Sequence, residues 1–315
     1  MRYSVNPQDL DLKEFAFGKC FSNDSLEKFV NLEVAQCLAN NSERLNKSKI
    51  SVIHPDIYLK YSSVNLFVGR QGRGKTLTIN KEMVKLSKIY SDPLCGSEHA
   101  HDVHMLVFVN KDGRVDDTTE ALKELISIPI KYVSVKNIEE YLKELYFHKL
   151  IYQKIVDEGL EDELEDDQIN EVKQFLFVND FSRQSLQEVI LFDDAAFENV
   201  LKKSDSVIVA MAHQARHYKF IFCFCVQGIK DVPLPIKEQT TTFFLYSGFM
   251  KQKLYTIYSQ CGIRGIEFDD FKRIYDSLGE KDYLIIDCAS GKFKICDDAD
   301  LTPIILFFKN KSFDL

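Results

Sequence analysis

The sequence predicts an α/β protein with a mostly parallel central sheet that is covered by helices on both faces. From residue 62 onward, short apolar runs typical of strands alternate with longer segments of helical periodicity. The runs 189–192 and Phe220–Val226 are apolar without alternation, as expected of strands buried on both faces of a parallel sheet. A chain of 315 residues, of which 45% are apolar, is long enough for one large domain or for a core domain with an appendage.

The predicted elements follow one another in the order that such a sheet requires. Strands are expected at Val64–Val68, 104–109, 132–135, 188–192, Phe220–Val226, 242–246, Tyr283–Asp287 and 292–295. Helices are expected at 76–90, 117–126, 137–156, 207–217 and 268–278. Asn137 is the expected N-cap of the third helix, and Glu139 and Glu140 in its first turn suit the positive end of the helix dipole.

The chain divides into an extension and a main domain. Residues 1–60 carry no motif beyond a weakly helical stretch at 26–45, so they form an N-terminal extension of unknown role. Residues 61–315 form the main domain, with an acidic insertion near 157–168. Its acidic block, residues 161–167, is predicted to be a solvated loop, and a DNA-mimicking or partner-binding role is the alternative.

Charge and composition exclude several classes of protein. A net charge of −8 argues against a general nucleic-acid coat, although a motor that touches DNA through a few loops is compatible with it. No apolar run reaches the ~18 residues of a membrane span, and the N-terminus lacks a secretory signal. The eight cysteines form no CxxC pair, and Cys223 and Cys225 are expected to be buried thiols on one face of a strand. A reducing, cytosol-like compartment is therefore expected.

One motif carries a specific chemistry. The run Gly69-Arg70-Gln71-Gly72-Arg73-Gly74-Lys75-Thr76 matches the Walker A pattern GxxxxGK[ST], with an apolar strand before it and an amphipathic helix after it. Glycines let successive backbone N–H groups turn toward an anion, and the helix begins with its positive end at the phosphates. We expect Lys75 to reach the β- and γ-phosphates of a nucleoside triphosphate and the Thr76 hydroxyl to bind Mg²⁺.

A P-loop also needs acidic groups for the metal ion and for water. The apolar strand 188–192 ends in Asp193-Asp194, which is the Walker B arrangement. We expect Asp193 to bind Mg²⁺, through water, and Asp194 to act as the general base that polarises the attacking water.

Three further residues are candidates near the phosphates. Gln227 follows the buried strand Phe220–Val226, so a parallel sheet places its amide beside the γ-phosphate; an ordinary polar loop residue is the alternative. Arg216, before that strand, is the first candidate for an arginine supplied to a neighbouring subunit, and Arg264 is the second. For each arginine, a plain surface position is the alternative.

A loop rich in histidine raises the question of zinc. Cys95, His99, His101 and His104 lie between the P-loop helix and the second strand. Their spacing fits no metal-binding pattern, and His104 is expected to begin a strand, so a zinc site is not predicted.

Four features follow one another along residues 61–298 in the order seen in one protein family. The first is the P-loop, and the second is the apolar strand that ends in Asp193-Asp194. The third is Arg216-His217, which is followed by an apolar strand, by Gln227 and by Val232-Pro233. The fourth is the last strand, 284–287, with a turn that contains Gly291. In these features the chain resembles the DNA-packaging ATPases of large double-stranded DNA viruses, the poxvirus-type branch of the FtsK–HerA class.

The resemblance implies a RecA-like core that assembles into a homo-oligomeric ring, hydrolyses ATP with Mg²⁺ and pumps double-stranded DNA into a capsid. It implies that Arg216 acts in trans and that Gln227 senses the nucleotide. Capsid or portal-type virion proteins would be partners, and the location would be the host cytoplasm at viral assembly sites, or the virion. Arg70 and Arg73 stand where the family usually has small residues, so phosphate contacts are expected to differ.

Two other functions fit the same P-loop. A small-molecule kinase would need an acceptor pocket and an arginine-rich lid, and no such lid is evident in the sequence. A nucleotide-dependent assembly switch would keep Lys75 and Thr76 but would not depend on Asp194 or Arg216. Lys202, Lys203 and Lys230 are the candidate DNA-contacting positions of a translocase.

Overall fold

The computed structural model describes residue 59 and the ranges 61–90, 103–115, 128–181, 186–193, 206–260, 266–288 and 292–296, together with residues 120, 122, 123, 126 and 263. Apart from Leu59, the extension 1–60 lies outside the described residues, as does most of the helix predicted at 117–126. Within the described residues, no helix is both long and apolar enough to cross a membrane.

The described strands form one sheet. They are β1 (Val64–Val68), β2 (Val103–Asn110), β3 (Ile130–Ser134), β4 (Gln187–Phe192), β5 (Phe220–Val226), β6 (Thr240–Tyr246), β7 (Tyr283–Asp287) and β8 (Lys292–Cys296). Their order is β3-β2-β4-β5-β1-β6-β7-β8. The first six pair in parallel, and β7 and β8 continue the sheet in antiparallel pairing. The predicted mostly parallel sheet is confirmed.

The helices lie on both faces, as predicted. They are α1 (Lys75–Tyr90), α2 (Ile138–Glu158), α3 (Asp166–Leu176), α4 (Val207–His213), α5 (Ala215–Tyr218), α6 (Leu234–Glu238), α7 (Lys251–Gln260) and α8 (Phe268–Asp276). Apolar residues of α1 pack on one face of the sheet, and those of α2, α3, α4, α7 and α8 pack on the other.

Strand β5 shows why the centre of the sheet is so apolar. All seven of its residues are buried. Phe220, Phe222 and Phe224 enter the core on one face, whereas Cys223 and Cys225 enter the core on the opposite face. The expectation that both thiols are buried on one face is confirmed, and burial raises the pKa of the Cys223 thiol.

The acidic block is not a loop. Leu160–Glu163 form a 3-10 turn, and α3 begins at Asp166 with a capping box in which Glu165 and Gln168 satisfy each other's backbone amides. The acidic side chains of Glu161, Asp162, Glu165, Asp166 and Asp167 are exposed, as expected, and Glu161 pairs with Lys173 at 3.2 Å. The prediction of a loop was wrong because carboxylates favour the first turn of a helix.

Two smaller predictions also need correction. The helix expected at 207–217 is two helices, because the backbone leaves helical geometry at Gln214. Asn137 stands at the N-cap of α2 but makes no capping hydrogen bond with its side chain, and its backbone is already helical.

Candidate nucleotide-binding site

The P-loop joins β1 to α1 in the predicted setting. Gly72 and Gly74 have φ angles of +77° and +88°, in the left-handed region where a side chain would be strained. Helix α1 begins at Lys75, and the Thr78 amide donates to the Gly74 carbonyl at 3.0 Å. The remaining amides at the start of α1 are thus directed toward the loop, which is the arrangement that binds phosphate.

The first glycine of the loop is needed for packing. A Cβ atom on Gly69 would lie 2.7 Å from the Cβ atom of Tyr246, which ends β6 and is fully buried. Strand β6 pairs with β1, so this contact is fixed by the sheet itself. Position 69 therefore has to be glycine, because any side chain there would clash with Tyr246 where the chain leaves β1.

Lys75 is held at the loop. Its side chain is buried, and its ammonium group donates to the carbonyl oxygens of Gly69 at 2.7 Å and of Arg70 at 3.2 Å. These bonds keep the positive charge beside the backbone amides that would hold a phosphate. Thr76, the predicted Mg²⁺ ligand, lies half-buried in the first turn of α1.

Three strand ends meet at one edge of the sheet. Asp193 directly follows β4, Gln227 follows β5 and Gly69 follows β1, and these strands are neighbours. The Asp193 amide donates to the carbonyl of Val109 at 3.0 Å, which extends the pairing of β4 with β2. With ~5 Å between strands, Asp193 lies ~10 Å from Gly69 across the sheet, and Gln227 lies between them. Asp194 falls outside the described residues.

Arg216 lies at the opposite edge. It is exposed on α5, which leads into the start of β5, whereas the P-loop is at the carboxyl ends of the strands. The seven residues of β5 separate the two edges by ~20 Å or more. Arg216 therefore lies far from the P-loop of the same chain. Arg264, Lys202 and Lys203 fall outside the described residues, and Lys230 is exposed just after β5.

Helix α2 fixes the turn that carries Arg216. The Tyr146 hydroxyl lies 3.1 Å from Nε2 of His217, and its ring packs edge-on against Tyr218. The Lys149 ammonium donates to the carbonyl oxygens of Tyr218 at 2.9 Å and Lys219 at 3.4 Å.

Lys149 also forms a buried ion pair with Glu188 at the start of β4. Burial lowers the pKa of Lys149 and raises the pKa of Glu188, since both charges have lost their water. His104 completes this cluster, with Nε2 at 3.3 Å from a Glu188 carboxylate oxygen and Nδ1 at 3.1 Å from the Gln187 carbonyl.

His104 is thus part of strand β2, as expected, and part of the buried polar cluster around Glu188 at the amino edge of the sheet. The described residues contain no group of three or more possible metal ligands. Cys95, His99 and His101, which complete the histidine-rich segment, fall outside the described part of the chain.

Residues that the sequence did not single out complete the surroundings of the loop. The Arg73 guanidinium lies against Gly248, whose φ angle is +99°, and it donates to the Glu280 carbonyl. The Tyr275 hydroxyl donates to the Tyr246 carbonyl at 2.8 Å and accepts from the Phe249 amide at 2.9 Å. Burial raises the pKa of Tyr275 to about 12, although the nearby charges of Arg70 and Arg73 oppose that shift. Gly248, two residues after the buried strand β6, was the available sequence signal for this region.

No protein-family model and no curated protein sequence matches the chain. Among solved structures, the chain is similar to the genome packaging NTPase B204 from Sulfolobus turreted icosahedral virus 2, with 14% sequence identity, a TM-score of 0.44 and coverage of 75% of this chain and 98% of that chain. It is also similar to EssC (ATPases 2 and 3) from Geobacillus thermodenitrificans, with 12% identity, a TM-score of 0.46 and coverage of 79% of this chain and 43% of that chain.

A third similar structure is the cytoplasmic domain of the Thermomonospora curvata type VII secretion ATPase EccC, with 10% identity, a TM-score of 0.44 and coverage of 78% of this chain and 28% of that chain. The described residues have a mixed α/β fold, with a mostly parallel sheet flanked by helices. A genome packaging NTPase is among the solved structures to which the chain is similar.

Proposed function

We propose that the chain is an ATPase that moves double-stranded DNA, and that it works as a homo-oligomeric ring in viral genome packaging. One observation carries the proposal: the P-loop with Lys75, Asp193 after β4 and Gln227 after β5 lie side by side at the carboxyl edge of one parallel sheet. This is the edge where α/β proteins bind ligands. The residue types are those that phosphoryl transfer to water requires.

The oxygen donors at this edge fit a magnesium ion. The Thr76 hydroxyl stands in the first turn of α1 and the Asp193 carboxylate at a strand end, and hydroxyl and carboxylate oxygens are ligands that Mg²⁺ accepts. A bound Mg²⁺ would neutralise the charge that develops on the phosphates. We assign metal binding to Thr76 and to Asp193, the latter through water.

The protein side chains have separate roles in binding ATP and in activating water. Lys75 binds the β- and γ-phosphates, and the amides of residues 70–76 orient them. Asp194 polarises the attacking water, and the Gln227 amide contacts the γ-phosphate or that water. Arg216 is too far from its own loop to take part there, so we assign it to the nucleotide site of the next subunit in the ring.

Double-stranded DNA is the molecule that the proposed ATPase moves. Lys230 is exposed in the short turn Ile229–Asp231 that follows Gln227, so a DNA-contacting lysine would be three residues from the nucleotide sensor. Lys202 and Lys203 are proposed for the same role. Capsid or portal-type virion proteins are the proposed partners, and the assembly sites in the host cytoplasm, or the virion, are the proposed location.

The experiment that tests the proposal is steady-state ATPase activity with and without double-stranded DNA. Wild type is expected to hydrolyse ATP, to be stimulated by DNA and to lose that stimulation steeply as salt is raised. Lys75→Ala should be inactive, whereas Lys154→Ala, at an exposed position of α2, should match wild type. Asp194→Ala should bind ATP without hydrolysing it.

Other outcomes would favour the two alternative functions. Activity that ignores DNA, or stimulation that does not respond to salt, would contradict the translocase. Phosphate transfer to a small-molecule acceptor would indicate a kinase. Full function of Asp194→Ala in virion assembly would indicate a nucleotide-dependent switch.

A further inference from the structure

The P-loop is tied to a distant turn by one of its own side chains. Gly279–Asp282 connects α8 to β7, and it is closed by hydrogen bonds from the Gly279 amide to the Asp282 carboxylate at 2.6 Å and from the Asp282 amide to the Gly279 carbonyl at 3.3 Å. The Arg73 guanidinium donates to the carbonyl oxygen of Glu280 in this turn, and it lies 3.5 Å from the Glu280 carboxylate. The two residues are 207 positions apart in the chain.

The same turn is also fastened to the end of β6. The Ser247 hydroxyl donates to the Glu280 carbonyl at 2.7 Å, and the Ser247 amide donates to the Asp282 carbonyl at 3.2 Å. The Glu280 carbonyl therefore accepts from both Ser247, which is buried, and Arg73. One oxygen atom links the P-loop, β6 and the turn that begins β7.

The position of Arg73 allows its side-chain contacts to fix the conformation of the P-loop. It lies between Gly72 and Gly74, both of which have a positive φ angle and no side chain. Glycine loses more conformational entropy on folding than any other residue, so the two glycines make this segment of the loop costly to order. Arg73 is the only residue of the three whose side chain can anchor it.

Gly248 makes room for the anchor. A Cβ atom there would lie 3.2 Å from an Arg73 guanidinium nitrogen, and its φ angle of +99° disfavours any other residue. The Arg73 guanidinium thus packs against the backbone of Gly248, just after β6, and donates from there to Glu280. Arg73 is 23% exposed, which makes its bonds less screened than those of a surface arginine.

We propose that Arg73 is a positioning residue that clamps the P-loop to the turn Gly279–Asp282, so that nucleotide binding and the conformation of that turn depend on each other. The proposal rests on the proposed function only in that the P-loop binds a nucleoside triphosphate. It assigns Arg73 to the turn instead of to the phosphates. It also gives the antiparallel end of the sheet a means to respond to the nucleotide.

The test combines nucleotide affinity with amide hydrogen exchange on the full chain, using a non-hydrolysable ATP analogue with Mg²⁺. In wild type the analogue should slow exchange of the Gly279 and Asp282 amides. Arg73→Ala should weaken binding about tenfold, the loss expected for one charge-assisted hydrogen bond, and should abolish the response of those two amides. Its melting temperature without nucleotide should stay within a few degrees of wild type.

Three further variants separate positioning from general damage. Arg73→Lys keeps the charge but loses the fork that reaches two acceptors, so it should recover part of the affinity and of the exchange response. Glu280→Gln keeps the carbonyl and removes a carboxylate that is 85% exposed, so it should weaken binding by less than about threefold. Lys253→Ala removes a positive charge from an exposed position of α7, away from the turn, and should match wild type.

Two outcomes would overturn the proposal. If wild type binds the analogue and Arg73→Ala binds it equally well with the same exchange response, the clamp is wrong and the proposed function is unaffected. If wild type does not bind nucleotide at all, the proposed function fails and the clamp fails with it. Should Arg73→Ala not fold, Arg73→Lys and Glu280→Gln decide by the same two measurements.

Discussion

The backbone amide of Gly69 donates a hydrogen bond to the carbonyl oxygen of Val226 at 3.1 Å, and so joins the first residue of the P-loop to the residue before Gln227. This bond continues the pairing of β1 and β5 beyond the strand ends. Gln227 is therefore held next to the loop by the backbone pairing of β1 and β5. Its side chain is exposed at this position, where it can respond to what the loop binds.

Replacing Gln227 by alanine should separate nucleotide binding from hydrolysis. The backbone bond of Val226 remains, so nucleotide affinity should change by less than about twofold, whereas kcat should fall about a hundredfold if the amide stabilises the transition state. Measured kcat and KM, together with nucleotide affinity, test this. Gln239→Ala, at an exposed position before β6, is the matched control. A loss of affinity at unchanged kcat would contradict the proposed role.

Asp193→Asn should change the magnesium requirement. The amide keeps the size of the side chain and removes the charge, so the Mg²⁺ concentration for half-maximal ATPase activity should rise about 10–100-fold, as is common when a group that holds a metal through water is lost. Activity measured against free Mg²⁺ gives this value. Nucleotide binding in the presence of EDTA should not change. An unaltered Mg²⁺ dependence would show that Asp193 is not part of the metal site.

The centre of the sheet could be predicted from the sequence because strands such as β5 are buried on both faces. Strands β5 and β7 begin and end at the predicted residues, since little polar alternation competes with the apolar pattern. Helices α3 and α7 were missed for the opposite reason. Helix α3 buries Val172 and Leu176, and α7 buries Leu254 and Ile257, so the apolar face of each helix is short and lies among polar residues.

The P-loop and the strand-end residues could be predicted because their positions follow from local spacing. The contacts that surround them could not. Lys149 and Glu188 are 39 residues apart, and Arg73 and Glu280 are 207 apart, so nothing local in the sequence pairs them. Each pair depends on how the sheet brings its edges together.

Gly72→Ala and Gly159→Ala form a matched pair. Both glycines have a positive φ angle, +77° and +67°, and in both cases an added Cβ atom would meet no atom within 4 Å. Each substitution should thus lower the free energy of unfolding by about 1 kcal/mol, which is the backbone cost alone. Only Gly72→Ala should also weaken nucleotide binding, because only that backbone shapes the P-loop. Equal nucleotide affinities of the two variants would argue against a loop whose conformation depends on Gly72.

Lys149→Met should strongly destabilise the protein in a manner that depends on pH. Glu188 is fully buried, and removal of Lys149 leaves its carboxylate without the lysine cation, which costs about 3–5 kcal/mol of unfolding free energy at neutral pH. The double variant Lys149→Met/Glu188→Leu should recover most of that loss, because no buried charge remains. Thermal and denaturant unfolding of the three proteins measure these differences. A double variant as unstable as the single one would show that packing, not charge, is responsible.

The sign of the pH effect follows from Glu188. Burial already raises its pKa against the opposing effect of Lys149, so removal of Lys149 should raise the pKa further. The folded state of Lys149→Met then binds a proton more tightly than the unfolded state does. Its stability deficit relative to wild type should therefore shrink as the pH is lowered from about 8 toward the ordinary glutamate pKa of about 4.3. A deficit that is constant over this range would mean that Glu188 is not the group left unpaired.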